Sequence, residues 1–170
     1  MVYEGHVTLS ERISHRDQAW KAIDQMPAAI LLSIGLIVVT VTVHFCVFRQ
    51  ISVTLLRWNC PCYRGLMLAV GSITLAHVAE AAVFSLAFWW GDATLEIGTF
   101  DRAQDMSWMD YFYFSLVNFT TLGRGELVPT DHLRFLAAIE AFVGFLMITA
   151  SGSYVLQVMS GKPPRIGISP

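Results

Sequence analysis

Charge is scarce in this chain of 170 residues: 14% of positions are Asp, Glu, Lys or Arg, against 55% hydrophobic. That balance excludes an ordinary soluble domain and indicates a protein whose surroundings are largely lipid. The formal net charge is only −2, so no nucleic-acid partner is expected. Cysteine is rare as well. Cys46, Cys60 and Cys62 are an odd set without a framework, which argues against a disulfide scaffold. Cys60 and Cys62 flank Pro61, but two thiols fall short of the four ligands of a structural zinc site. Reversible acylation is one reading of the pair, and two reduced thiols in a reducing cytosol is the favoured one. Residues 1–26 lack an early apolar run, so no cleavable signal peptide is expected. No apolar segment carries a ladder of arginines, which argues against a voltage sensor of the usual kind. No cytosolic ligand domain is expected after the last helix.

What the chain has instead is apolar length. Pro27 to Phe48 is 22 residues without Asp, Glu, Lys or Arg, enough to cross a hydrocarbon core of about 30 Å. Pro27 suits the first turn of that helix. The preceding 1–26 segment is read as a partly ordered tail, with a short helix from Glu11 to Met26, capped by Ser10, as the alternative. Residues 49–64 hold Arg49, Arg57 and Arg64 and no acid, and are expected to be a cytoplasmic connector. A second span is expected over 65–90, closed by Trp89 and Trp90 at an interface. Asp92, Glu96, Asp101, Asp105 and Asp110 then face Arg102 alone. This acidic loop is expected outside, either gathering cations near an entrance or simply solvated.

Ser107 is a good N-cap for a helix over 107–119, with Asp110 in its first turn. It is too short to cross a bilayer and reads as re-entrant. Leu133 to Met159 is the third span, with small residues at Gly144, Ala150, Ser151, Gly152 and Ser153. Helical spacing puts Phe145, Thr149, Gly152 and Leu156 on one face, expected to line an inner cavity. Lys162 and Arg165 in the 161–170 tail place the C-terminus in the cytoplasm, and three crossings then put the N-terminus outside, against the charge of Arg12, Arg16 and Lys21 in the first segment. The expected fold is an all-α membrane protein with three transmembrane helices, a re-entrant helix and a loop.

Between the short helix and the third span lies Asn118-Phe119-Thr120-Thr121-Leu122-Gly123-Arg124-Gly125-Glu126-Leu127-Val128-Pro129. Irregular backbone at membrane depth must be buried in protein or line a wet cavity. Paired Thr and spaced Gly are what a carbonyl-lined ion pathway needs. Thr120-Thr121-Leu122-Gly123-Arg124-Gly125-Glu126 resembles the Thr-Thr-Val/Leu-Gly-Tyr-Gly-Asp filter of potassium channels. Tyr113-Phe114-Ser115-Leu116-Val117-Asn118-Phe119 resembles the pore helix of the small bacterial channels with two pore-forming helices. Thr42-Val43-His44, Ala76-His77-Val78-Ala79-Glu80 and Ile139-Glu140-Ala141-Phe142-Val143-Gly144 also resemble elements of that family, extending the likeness over roughly residues 35–160.

The resemblance implies a pore module over 65–160, with a filter at 120–126. It also implies a homotetramer in the inner (cell) membrane, with the lipid bilayer as its other partner. Monovalent cations, potassium foremost, would pass carbonyls of Thr121, Leu122, Gly123 and Arg124 within a filter of Thr120 to Gly125. Glu126, Glu140 and Asp110 would support the filter. Gly144 is either a gating hinge or a packing residue. No cofactor and no metal beyond the permeating ion are expected.

The chain departs from the family at Arg124, where an aromatic spacer is usual. Four Arg at about 8 Å and an effective dielectric near 20 would oppose a cation by about 8 kcal/mol in total. Pairing with Glu126, Glu140 or Asp110 would cancel much of this. His44, His77, Glu80 and Glu140 are costly in lipid. Interhelical hydrogen bonding is their favoured role, ahead of ion or proton sensing or support behind the filter. Glu80 and Glu140 are expected to approach each other or the filter. Two other readings stay open: a channel fold with altered or lost conduction, acting as a sensor or assembly partner, and a small membrane enzyme or metal site using His44, His77 and Glu80.

Overall fold

The computed structural model describes residues 9–58, 62–101, 105–123 and 127–161. Its order is α1 (Leu9–Trp58), α2 (Cys62–Ala93), β1 (Phe100–Asp101), α3 (Trp108–Phe119), β2 (Val128–Pro129) and α4 (Leu133–Met159). Stretches of α1, α2 and α4 are each long and apolar enough to cross a membrane: Gln25–Arg57, Tyr63–Ala93 and Leu133–Met159.

α1 differs from expectation at both ends. It starts at Leu9, upstream of Ser10, and runs without a break through Pro27, which sits inside the helix. It also continues through Arg49 to Trp58, residues expected in the connector. No Gly or Pro lies between Arg49 and Trp58, and polar residues end a membrane span without ending a helix. The first breaker is Pro61, which disfavours helical backbone in the residue before it. α2 then begins at Cys62, so the expected 49–64 connector shrinks to a few residues. Cys60, Arg102, Lys162, Arg165 and, from the expected filter and its support, Arg124, Gly125 and Glu126 lie outside the described residues.

The second difference is a small antiparallel ribbon in a fold expected to be all-α. Phe100 pairs with Pro129 and Asp101 with Val128. Thr130 extends it, its N–H donating to Thr99 O at 2.7 Å and its Oγ1 accepting from Thr99 N at 3.0 Å. His132 N donates to Ile97 O at 2.9 Å. The loop after α2 is thereby tied to the segment that leads into α4.

Two apolar clusters hold the helices together. One joins Phe84, Phe88, Ile97, Phe100, Tyr111, Phe119, Leu133 and Leu136, so α3 is wedged between α2 and α4. The other joins Ile51, Leu55, Ala69, Ile73, Tyr154 and Val158 from α1, α2 and α4. Between the two, on each of the three long helices, the buried residues turn polar: His44, Glu80 and Ser151. The outer faces are left bare, with Leu31, Val38, Phe45, Leu75, Leu86 and Phe142 exposed on the single chain.

Candidate functional site

α3 is a 12-residue helix fixed at both ends. At its start Asp110 Oδ2 accepts from both the Ser107 N–H and the Ser107 hydroxyl at 2.8 Å. That satisfies a backbone donor the helix cannot, and puts negative charge at the positive end of the dipole. Asp110, expected to support the filter, is thus engaged at the N-terminal end of α3. Tyr111 donates its hydroxyl to Asp92 at 2.6 Å, tying this end of α3 to the last turn of α2.

At the other end the helix runs out at Phe119. Thr121 N donates to Asn118 O at 2.9 Å and Leu122 N to Val117 O at 3.1 Å. Thr121 takes a φ of 58° and Gly123 one of 52°, the left-handed region. A β-branched residue there is unusual and costs strain, whereas Gly carries none. Thr120 to Gly123 are exposed on the single chain, Leu122 to 70%. The segment that follows the negative end of α3 is therefore left uncovered by the rest of the chain.

Behind α3, the buried carboxyl of Glu140 on α4 meets two α3 side chains. Ser115 Oγ lies against Glu140 Oε1 and at 2.6 Å from Ala81 O on α2. Asn118 donates one amide proton to Glu140 Oε2 at 2.6 Å and the other to Ala137 O at 2.8 Å. The Ser115 hydroxyl carries one proton but faces two acceptors. Every contact is satisfied when that proton goes to Ala81 O and Glu140, as the carboxylic acid, donates to Ser115 Oγ. Glu140 thus joins α4 to α3 directly below the turn at Thr120.

Gly144 lies one turn further along α4. A Cβ there would collide with the Phe119 carbonyl oxygen and stand 2.9 Å from Phe119 C and 3.1 Å from its Cα. Only Gly lets the last turn of α3 rest on α4 at this distance. The geometry thus supplies a packing reason for Gly144 that is independent of bending.

His44, His77 and Glu80 are brought together, with Ser151 as a fourth member. Both Nδ1 atoms face the Glu80 carboxylate, at 2.9 Å from His44 and 3.2 Å from His77. Both Nε2 atoms face Ser151 Oγ, again at 2.9 and 3.2 Å. The two rings stack with centroids 5.1 Å apart, and His77 lies 5.6 Å from the Phe119 ring. Glu80 and Glu140, expected to approach each other or the filter, bind separate partners. Ser115, Asn118 and Ser151 were not singled out as polar anchors by sequence reasoning. The signal for Ser151 was its place on the stripe of Glu140 and Gly144, since the buried positions of α4 recur as Leu136, Glu140, Val143, Gly144, Ser151, Tyr154 and Val158. Phe145, Thr149, Gly152 and Leu156, expected along a cavity, all lie on the exposed side of α4.

A family model described as "Ion channel" matches residues 72–161, just over half of the chain. The chain belongs to this ion-channel family. The match starts within α2 and takes in α3, the turn after it and all of α4, leaving α1 outside. No curated protein and no solved structure matches the chain. The protein is a multi-pass membrane ion channel.

Proposed function

We propose that four copies surround a common axis in the inner membrane and conduct a monovalent cation, potassium foremost, through a filter built from Thr120 to Gly125 of each chain. In this arrangement α3 is a re-entrant pore helix. Its C-terminal carbonyl end, the negative end of its dipole, points towards the permeating ion. The observation that carries the reading is the exposed Thr120–Gly123 segment at that end, in a chain of the ion-channel family. One chain cannot enclose a path, and the exposed face with Phe145, Thr149, Gly152 and Leu156 gives α4 a surface for an inner cavity. Glu140, Ser115 and Asn118 brace the helix from behind, and Gly144 sets how closely it sits on α4. The N-terminus lies outside and the C-terminus in the cytoplasm.

Arg124 favours a second reading, in which the same fold has altered selectivity or no conduction. A guanidinium is always charged and is not an aromatic spacer. Flux into liposomes, with potassium compared with sodium, decides between them when the unmodified protein is run beside Arg124→Tyr. Potassium-selective flux from the unmodified chain supports the channel with its Arg124 accommodated. Flux that appears only with Tyr assigns the pore another use, and no flux from either variant in a folded protein overturns conduction.

A further inference from the structure

We infer that His44, His77 and Glu80 form an intramembrane binding site for a divalent late first-row metal ion of the Zn²⁺ class, with Ser151 orienting the two imidazoles. The site shares no residue with the proposed filter, and its test does not depend on conduction. It also departs from the expectation that no metal beyond the permeating ion is bound.

Donor chemistry comes first. Two imidazole nitrogens and one carboxylate are a common three-ligand zinc set, leaving one position for water. One ligand atom from each of the three residues can be chosen so that all lie within 4.8 Å of one another. The nitrogen-to-carboxylate separations of 2.9 and 3.2 Å are close to those of ligands that share one small cation at about 2.1 Å each. Little movement is needed to admit the ion between them. Carboxylate and imidazole together suit Zn²⁺ and Co²⁺ better than Mg²⁺ or Ca²⁺, which take oxygen.

Hydrogen counting leaves a place for the ion. The ring of four contacts among Glu80, His44, Ser151 and His77 needs one proton per contact. With Glu80 as a carboxylate, two neutral imidazoles and one hydroxyl supply three, so one more cation, either a metal ion or a proton, completes the set. A metal at the two Nδ1 atoms and the carboxylate supplies it. Both Nε2 atoms then carry hydrogen and donate to Ser151 Oγ, which has a lone pair for each. That is the outer-shell arrangement that fixes the tautomer of a metal-bound His. A single extra proton is the rival occupant.

Position gives the site a consequence. It lies between the two apolar clusters and links α1, α2 and α4, with His77 against Phe119 at the end of α3. His77 is also the one ligand open to entry, its side chain 18% accessible against 3% for His44 and 2% for Glu80. Occupancy would pin the three long helices together beneath the pore helix.

The test uses the full chain, purified in detergent with a histidine-free affinity tag and stripped with chelator. Co²⁺ is titrated and followed by visible absorption, then displaced with Zn²⁺. X-ray absorption on the unmodified Co²⁺ protein reads the ligands without any variant. One Co²⁺ per chain is expected, with two imidazoles and a carboxylate in its shell, and with uptake lost in His44→Gln and Glu80→Gln. Ser151→Ala removes no ligand and should keep the stoichiometry while weakening affinity by roughly 10–100-fold. Failure of the unmodified protein to take up Co²⁺ or Zn²⁺ overturns the site and leaves the proton as occupant. So does a bound ion whose shell lacks paired imidazoles, or one retained in both folded variants.

Discussion

Gly144→Ala adds one carbon where α4 touches the end of α3. The new Cβ would overlap the Phe119 carbonyl oxygen and stand 2.9 Å from the carbonyl carbon. The obstacle is backbone, which cannot swing aside as a long side chain does. Overpacking of this kind costs about 1–3 kcal/mol, and a backbone obstacle puts the value near the top of that range. Ala is also a better helix former than Gly by about 1 kcal/mol, which partly hides the loss. Gly71→Ala serves as the reference, because a Cβ at Gly71 on α2 meets nothing within 4 Å among the described residues. The propensity gain is common to both variants and cancels, so their difference reads the collision alone.

Melting followed by intrinsic fluorescence in detergent should place Gly144→Ala below Gly71→Ala. A chain of this size loses about 2–4 °C per kcal/mol, so a gap of several degrees is expected. Because Phe119 immediately precedes Thr120 and Thr121, any shift that relieves the collision also moves the proposed filter, and potassium flux should fall with stability. Equal melting temperatures would refute the close contact. Equal stability combined with a lowered open probability would assign Gly144 to bending instead.

Glu140→Gln should be tolerated to within about 1 kcal/mol, because the amide reproduces the acid form, donating to Ser115 Oγ and accepting from Asn118. Glu140→Ala should cost about 1–3 kcal/mol or more by stranding those partners, and a Gln variant as unstable as the Ala variant would mean that Glu140 is charged. Thr40 Oγ1 is buried on α1 with no partner among the described residues. Thr40→Val removes that hydroxyl at nearly constant shape, so thermal melting should show no loss and up to about 1–3 kcal/mol of gain. A clear drop would reveal a partner for the hydroxyl, such as a bound water.

Much of this fold was legible because membrane helices are written in long, simple signals. Pro27–Phe48 announces a span by the absence of charge, and Ser107 with Asp110 announces the start of α3 by its cap. The continuation of α1 to Trp58 was hidden because Arg49 and Arg57 mark where lipid ends, which is not where a helix must end. The ribbon between Phe100–Asp101 and Val128–Pro129 is too short to leave an alternating pattern, and its partners lie far apart in sequence. The polar contacts were only half legible. Cost in lipid flagged His44, His77, Glu80 and Glu140 one by one, but hydropathy carries no pairing information.

The pairing follows from how few routes a buried polar group has to satisfaction. Ser115 and Asn118 both project from α3 towards α4, so Glu140 becomes a joint between those two helices. Glu80 faces α1 instead, where His44 lies between the two apolar clusters, and Ser151 closes the ring from α4. The two acids therefore divide the labour that the sequence left them to share. One sets the position of α3 and the turn at Thr120, and the other fixes how the three spans meet. Phe119 joins the two arrangements, its carbonyl on Gly144 and its ring near His77. A change in occupancy at the histidine cluster thus has one short route to the proposed filter, and that route runs through the residue that ends α3.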